Sequence, residues 1–230
     1  MPYKHLFFDL DHTIWDFDKN AEETLNELYH TYNLRELGLH SADTFIEVYT
    51  KNNHRLWADY HTGKITKQML RERRFSETFI DLGLSPHRIP KNFEDDYVAL
   101  CPTKTNLFPQ AHETLRDLKE RYSLHLISNG FKESTELKIL NNGLQVYFEQ
   151  VIISEVVGFN KPEKAIFKHA LTLAKARVSE SIMIGDSIEA DIRGAQDYGM
   201  KAIYFNPERK EKPSDVQHEI SCLSELKTLL

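Results

Sequence analysis

Phe7-Phe8-Asp9-Leu10-Asp11-His12-Thr13 places two acidic residues, separated by one leucine, directly after an apolar run. The run Leu6–Phe8 is typical of a strand buried on both faces of a parallel sheet. Asp9 would then lie at the carboxyl end of that strand, the edge where open α/β sheets bind ligands. A lone aspartate at a strand end can simply cap the next helix. Two acids so close together instead favour a site for a cation or a shared proton.

The rest of the sheet is predicted after Pro102, where strand and helix patterns alternate as they do in βαβ units. The predicted strands are Leu124–Ile127, Val151–Ile153, Ile182–Ile184 and Ala202–Phe205. A helix is predicted to begin at Pro162, because proline is tolerated in the first helical turn. Another helix is predicted over Ile188–Tyr198, ended by Gly199. The chain is therefore expected to form an α/β domain with a parallel sheet.

Between Phe17 and Pro102 the pattern is helical throughout, with apolar residues at helical spacing and no convincing buried strand. Ser41 and Thr66 are predicted N-caps. This segment is expected to be a helical bundle inserted between the first strand and the rest of the α/β domain. Its aromatic residues Trp57 and Tyr60 are expected to pack inside the bundle rather than to face a ligand.

The net charge, the cysteines and the apolar runs of the chain restrict the partners that it can bind and the cellular compartment in which it is expected. The formal net charge of -6 argues against a nucleic-acid polymer as partner, since phosphate backbones are bound by clustered Lys and Arg. The two cysteines, Cys101 and Cys222, form no CxxC pair, which fits a reducing compartment. No signal-peptide pattern or membrane-spanning run is present. The chain is expected to be cytoplasmic, without a membrane partner, and a monomer or weak homo-oligomer.

Polar residues of different chemistry follow each predicted strand. Asp9 follows the first, Ser128-Asn129-Gly130 the second, Ser154 and later Lys161 the third, and Gly185-Asp186 the fourth. Singly, these are also what an ordinary turn, an exposed lysine or a helix cap would contain. In a parallel sheet, however, they share one edge, so they are expected to meet.

This set of residues suits phosphoryl transfer through a covalent aspartyl phosphate. Asp9 and Asp186 offer carboxylates to Mg²⁺, and Asp11 can offer its carbonyl while its side chain stays free to move protons. Lys161 and the metal offset the repulsion between an anionic nucleophile and a phosphate. Ser128 and the Asn129 amide can hold phosphoryl oxygens.

The same positions resemble the motifs of the haloacid dehalogenase (HAD) superfamily of phosphohydrolases. Asp9 to Thr13 is similar to the first motif, DxDxT, Ser128 to the second, Lys161 to the third, and Gly185-Asp186 with Asp191 to the fourth, GDxxxxD. The resemblance covers essentially the whole chain. It implies a Rossmann-like parallel sheet core, residues 1–16 and 102–230, and an inserted helical-bundle cap of the C1 type, residues 17–101.

The resemblance also implies a role for each matching residue. Asp9 is the expected nucleophile and Asp11 the general acid and base, with Ser128 and Lys161 assisting catalysis. The expected Mg²⁺ ligands are Asp9, Asp11 and Asp186, supported by Asp191, and the expected substrate-binding residues are Ser128, Asn129 and Lys161. An acid at position 11 favours a phosphate ester, because dehalogenase and phosphonatase branches lack it.

A closer likeness concerns the substrate. Leu56 to Tyr60, Gly63 to Thr66, Arg74-Phe75, Ile127 to Phe131 and Ile153 to Gly158 resemble the noncanonical pyrimidine 5′-nucleotidase branch. It implies a small phosphate monoester as substrate, a nucleoside 5′-monophosphate of the pyrimidine type. A sugar-phosphate phosphatase or phosphomutase is the enzymatic alternative. A receiver-like signalling protein is the non-enzymatic one, although a receiver keeps its phosphorylated Asp on a middle strand and needs no helical insertion.

Overall fold

The computed structural model describes residues 3–230, which separate into two compact units. One unit contains the chain as far as Phe17 together with Thr105–Leu230, and the other is Asp18–Lys104. Within residues 3–230, no helix is both long enough and apolar enough to cross a bilayer.

The first unit is built on a parallel sheet of six strands. The strands are β1 His5–Phe8, β2 Ser123–Ser128, β3 Phe148–Ile153, β4 Ser181–Gly185, β5 Lys201–Phe205 and β6 Glu219–Ile220. Their order, β3-β2-β1-β4-β5-β6, is that of a Rossmann-like doubly wound sheet. The predicted α/β fold is confirmed. Only β6 was not predicted, because two residues are too short to give a periodic pattern.

Helices cover this sheet and bury its apolar runs. Numbered after the four helices that lie earlier in the chain, they are α5 Ala111–Lys119, α6 Lys132–Asn141, α7 Ser154–Val157, α8 Lys164–Leu173, α9 Gly194–Tyr198 and α10 Leu226–Leu229. The core on one side includes Phe7, Phe167 and Met183, all fully buried. The central strands are therefore apolar along their length because both of their faces are covered.

Two helix predictions differ from the structure. Helix α8 begins at Lys164 rather than at Pro162, because the backbone of Glu163 is not yet helical. The helix predicted after β4 starts as a π-helix, Ile188–Arg193, before it becomes α9. Its first turn is wide because the Ile192 N–H donates to the Ser187 carbonyl, five residues earlier, at 3.1 Å.

The second unit is a helical bundle, as its spacing predicts. Its helices are α1 Phe17–Thr31, which starts in the first unit, α2 Ala42–His61, α3 Lys67–Asp81 and α4 Phe93–Leu100. Both predicted N-caps are confirmed: Ser41 Oγ accepts from the Thr44 N–H and Thr66 Oγ1 from the Met69 N–H, each at 3.2 Å. Trp57 and Tyr60 pack edge to face on each other but are only half-buried.

Candidate active site

The strand ends bring together residues from distant parts of the sequence. β1 lies between β2 and β4, with Phe8 in register with Leu126 and Ile184. The Asp9 N–H donates to the Ile184 carbonyl at 2.9 Å, so Asp9 stays attached to the sheet just beyond β1. This is where the strand order reverses, the usual ligand site of a doubly wound sheet. Asp9, Ser128, Lys161 and Asp186 all lie near this edge.

Lys161 is the cation at the centre of the cluster, and only 2% of it is exposed. Its Nζ lies 2.5 Å from Asp9 Oδ1 and 2.7 Å from Asp191 Oδ1, and donates to the Ile127 carbonyl at 2.8 Å. Burial alone would lower the pKa of this ammonium. The charges of Asp191 and Asp9 outweigh the burial and raise the pKa, so Lys161 stays charged at neutral pH.

Asn129 fixes the backbone of Lys161. The Lys161 N–H donates to Asn129 Oδ1 at 2.8 Å, and Asn129 Nδ2 donates to the Lys161 carbonyl at 2.9 Å. The Asn129 side chain therefore holds the Lys161 backbone from both sides, while the second hydrogen of its NH2 group and its backbone can still meet a phosphoryl oxygen. Sequence reasoning did not foresee this pairing between the second and third motif positions.

Gly130 is closely packed in the turn after β2. Ser128 Oγ accepts from the Gly130 N–H at 3.0 Å, which folds the chain back over the strand end. A β-carbon on Gly130 would stand 2.7 Å from Thr135 Oγ1 and 3.1 Å from Ser128 Oγ. A larger residue would therefore have to displace the Thr135 hydroxyl and would crowd the Ser128 hydroxyl.

Three carboxylates lie beside Lys161. Asp9, Asp186 and Asp191 each offer an oxygen within 4.8 Å of the other two, and Asp186 Oδ1 accepts from Thr13 Oγ1 at 3.1 Å. Burial raises the pKa of Asp186 to about 6 and that of Asp9 well above its ordinary value. Three acids facing one buried lysine carry excess negative charge. Clustered carboxylates are the ligands that Mg²⁺ prefers, so these residues fit a Mg²⁺ ion.

Asp191 is fixed by the backbone around it. Its Oδ2 accepts from the Ser187 N–H at 3.0 Å, while Oδ1 faces Lys161. A β-carbon on Gly185 would stand 2.2 Å from the Asp191 carboxylate, so only glycine allows this approach. Asp191 therefore has both oxygens engaged by the protein, as a residue that supports the site would.

Asp11 is paired with a lysine that sequence reasoning missed. Lys138 Nζ donates to Asp11 Oδ1 at 2.5 Å, and Lys138 is 5% exposed. The available signal was its spacing on α6, where it shares the buried face with Thr135 and Ile139. A lysine on such a face needs a buried partner.

Comparisons with known proteins identify the family of the chain. A family model described as haloacid dehalogenase-like hydrolase matches residues 3–199. Over 219 residues the chain is 33% identical to pyrimidine 5′-nucleotidase PynA of Streptococcus pneumoniae, covering 94% of this chain and 90% of that protein. Over 233 residues it is 30% identical to pyrimidine 5′-nucleotidase YjjG of Escherichia coli, covering 100% and 99%.

A solved structure has the same fold over the full length. The crystal structure of the HAD hydrolase YfnB from Bacillus subtilis, bound to magnesium, superimposes with a TM-score of 0.88 at 26% identity, covering 100% of this chain and 99% of that one. The family model spans most of the chain, and both named relatives are at least 30% identical over nearly their whole length. The resemblance seen in the motifs is thus confirmed, and the chain belongs to the haloacid dehalogenase-like hydrolase family.

Proposed function

We propose that the chain is a Mg²⁺-dependent phosphatase that hydrolyses nucleoside 5′-monophosphates of the pyrimidine type through an aspartyl phosphate on Asp9. The observation that carries the proposal is the convergence of a nucleophile, a fixed cation and clustered carboxylates at one sheet edge. Asp9 lies 2.5 Å from Lys161 there, within reach of Asp186. In this proposal the helical unit Asp18–Lys104 serves as the cap domain.

The protein residues account for both steps of the hydrolysis. In the first, an Asp9 oxygen attacks phosphorus while Asp11 gives a proton to the departing alcohol oxygen. In the second, water attacks the aspartyl phosphate and gives its proton to Asp11, which regenerates the Asp9 carboxylate. Lys161 stabilises the added negative charge of the phosphoryl group in both steps, and Ser128 with the Asn129 backbone holds its oxygens.

The carboxylates of Asp9 and Asp186 and the carbonyl of Asp11 are the groups that would hold Mg²⁺. When bound, the ion neutralises charge between the carboxylates and the substrate phosphate, which lowers the cost of bringing two anions together. Lys161 contacts two of these three acids, Asp9 and Asp191, so a further positive charge would balance the negative charge of the cluster.

The relatives support the substrate class. PynA and YjjG are both named pyrimidine 5′-nucleotidases, and the chain matches each over most of its length. A test is phosphate release from deoxycytidine, thymidine and purine monophosphates and from sugar phosphates, with Mg²⁺ and with chelator. We expect Mg²⁺-dependent turnover led by pyrimidine monophosphates. If a sugar phosphate is hydrolysed fastest, the assignment as a nucleotidase is wrong and the chain is a sugar-phosphate phosphatase.

Two other outcomes of this test would contradict the proposal more deeply. An isomerised sugar phosphate in place of free phosphate would indicate a phosphomutase. A stable aspartyl phosphate without turnover would favour the receiver-like alternative, since only a receiver needs a long-lived phosphoryl group.

Replacing Asp186 by Asn is expected to weaken Mg²⁺ binding. The amide keeps the size of the side chain and can still accept from Thr13, but it removes one anionic ligand. We expect the dissociation constant for Mg²⁺ to rise by at least about 10-fold. Calorimetric titration of the substrate-free protein measures this without relying on activity.

Asp197→Asn is the matched control for that titration, because Asp197 is exposed on α9 and carries the same charge. It should bind Mg²⁺ as the wild type does. Equal Mg²⁺ affinities for Asp186→Asn and the wild type would remove Asp186 from the ligand set.

A further inference from the structure

Lys138 is a buried lysine that none of the four motifs contains. It lies on α6, ten residues after Ser128, and its side chain is 6% exposed. A buried ammonium is costly unless it is paired and fixed. Its partner is Asp11 Oδ1 at 2.5 Å. The lysine thus contacts the acid expected to move protons, and Asp9 has a different lysine, Lys161.

Aromatic rings hold the Lys138 ammonium in place. Nζ lies 4.2 Å from the centre of the Trp15 ring and 5.5 Å from that of Phe17, both distances at which a cation is attracted to a ring face. Trp15 is fully buried, so the packing around it fixes the position of its ring. The position of the ammonium, and with it that of the carboxylate it contacts, is therefore set by the packing of the first unit.

The two oxygens of Asp11 have different surroundings. Oδ1 accepts from Lys138, whereas Oδ2 faces the turn after β2, 3.6 Å from the place where a β-carbon on Gly130 would stand. That turn directly follows Ser128, which is expected to hold the phosphoryl group. The carboxylate is therefore held by one oxygen and presents the other toward the expected substrate.

We propose that Lys138 is a positioning residue that orients Asp11 for proton transfer to the leaving group, an inference that rests on the proposed phosphatase function. As the Asp9 oxygen bonds to phosphorus and the bond to the leaving oxygen breaks, the proton on Asp11 Oδ2 passes to that oxygen. The products are a free alcohol and an aspartyl phosphate. The Asp11 carboxylate that remains is paired with Lys138. In the second step water gives a proton back to Oδ2 while its oxygen bonds to phosphorus and releases Asp9.

The test compares two leaving groups in Lys138→Met and wild type. A nucleoside 5′-alkoxide must be protonated as it leaves, whereas p-nitrophenolate is stable as an anion and needs little help. With enzyme in excess over substrate and Mg²⁺ present, release of the alcohol in the first turnover reports the first step alone. We expect this rate to fall by about 10- to 100-fold for deoxycytidine monophosphate and by less than about 3-fold for p-nitrophenyl phosphate.

Two further variants separate positioning from a structural role. Lys168→Met removes the same charge from an exposed place on α8 and should leave both rates unchanged. Lys138→Arg keeps a cation beside Asp11 and should recover part of the lost rate on the nucleotide. If the methionine variant does not fold, Lys138→Gln is used in the same comparison, because its amide can still donate to Asp11 but carries no charge.

The outcomes distinguish the two proposals. Equal losses on both substrates would make Lys138 only structural, and unchanged rates on both would remove it from the reaction; either result overturns the inference while the phosphatase stands. If the wild type releases neither alcohol, the proposed function itself fails and the inference fails with it. A loss confined to the nucleotide supports both.

Discussion

Asp9→Asn is expected to abolish turnover while leaving the fold intact. The amide cannot form the aspartyl phosphate, so kcat should fall at least about 1,000-fold, as it does when a nucleophile is removed from other enzymes. The fold should tolerate the change, because the amide has nearly the same shape as the carboxylate and its oxygen can still accept from Lys161. Phosphate release with Mg²⁺ measures the loss of turnover. Acid-quench trapping measures the loss of the aspartyl phosphate.

Asp197→Asn serves as control here as well, since it makes the same chemical change at an exposed position. It should retain wild-type kcat and form the phosphoenzyme. Substantial hydrolysis by Asp9→Asn, with the mass of the amide variant verified, would contradict the assignment of Asp9 as nucleophile.

Lys161→Met is expected to damage both stability and activity. Lys161 is 2% exposed and contacts two carboxylates, so its removal leaves Asp9 and Asp191 buried without their cation. We expect the free energy of unfolding to fall by about 3 kcal/mol, the usual cost of breaking a buried ion pair from one side. Loss of charge stabilisation in the transition state should lower kcat by about 100-fold or more.

A divalent cation should partly replace the missing charge of Lys161. We therefore expect urea unfolding of Lys161→Met to show a smaller stability loss with Mg²⁺ than with chelator. Lys168→Met, which removes an exposed lysine, should match the wild type in both conditions. If Lys161→Met has wild-type kinetics and stability, the lysine has no part in the site.

The strand ends were predictable because they depend on local patterns. An apolar run followed by Asp9, and later by Ser128 and Gly185-Asp186, indicates a buried strand and the polar residues beyond it. In a parallel sheet, these ends share one edge whatever the order of the strands, so the meeting of the residues follows from the fold class. The helical bundle was equally predictable from its apolar spacing, and the predicted N-caps Ser41 and Thr66 are confirmed.

The groups that each side chain contacts, and the type of helix that follows β4, were less predictable. The sequence did not indicate that the Asn129 side chain also holds the backbone of Lys161. The wide first turn after β4 was read as an ordinary helix, because apolar spacing does not distinguish a π-helix from an α-helix. Both features depend on hydrogen bonds that form only when the loops are folded together.

The sequence by itself determined the fold class, the family motifs and the residues at the sheet edge, because strand burial and helical spacing are local properties of the chain. Only the tertiary structure decided which charge pairs with which. Lys138 and Asp11 are 127 residues apart, and Lys161 and Asp9 are 152 apart. Such pairs are chosen by the packing of α6 and of the turn before α8 against the sheet, where burial makes each charge dependent on its partner.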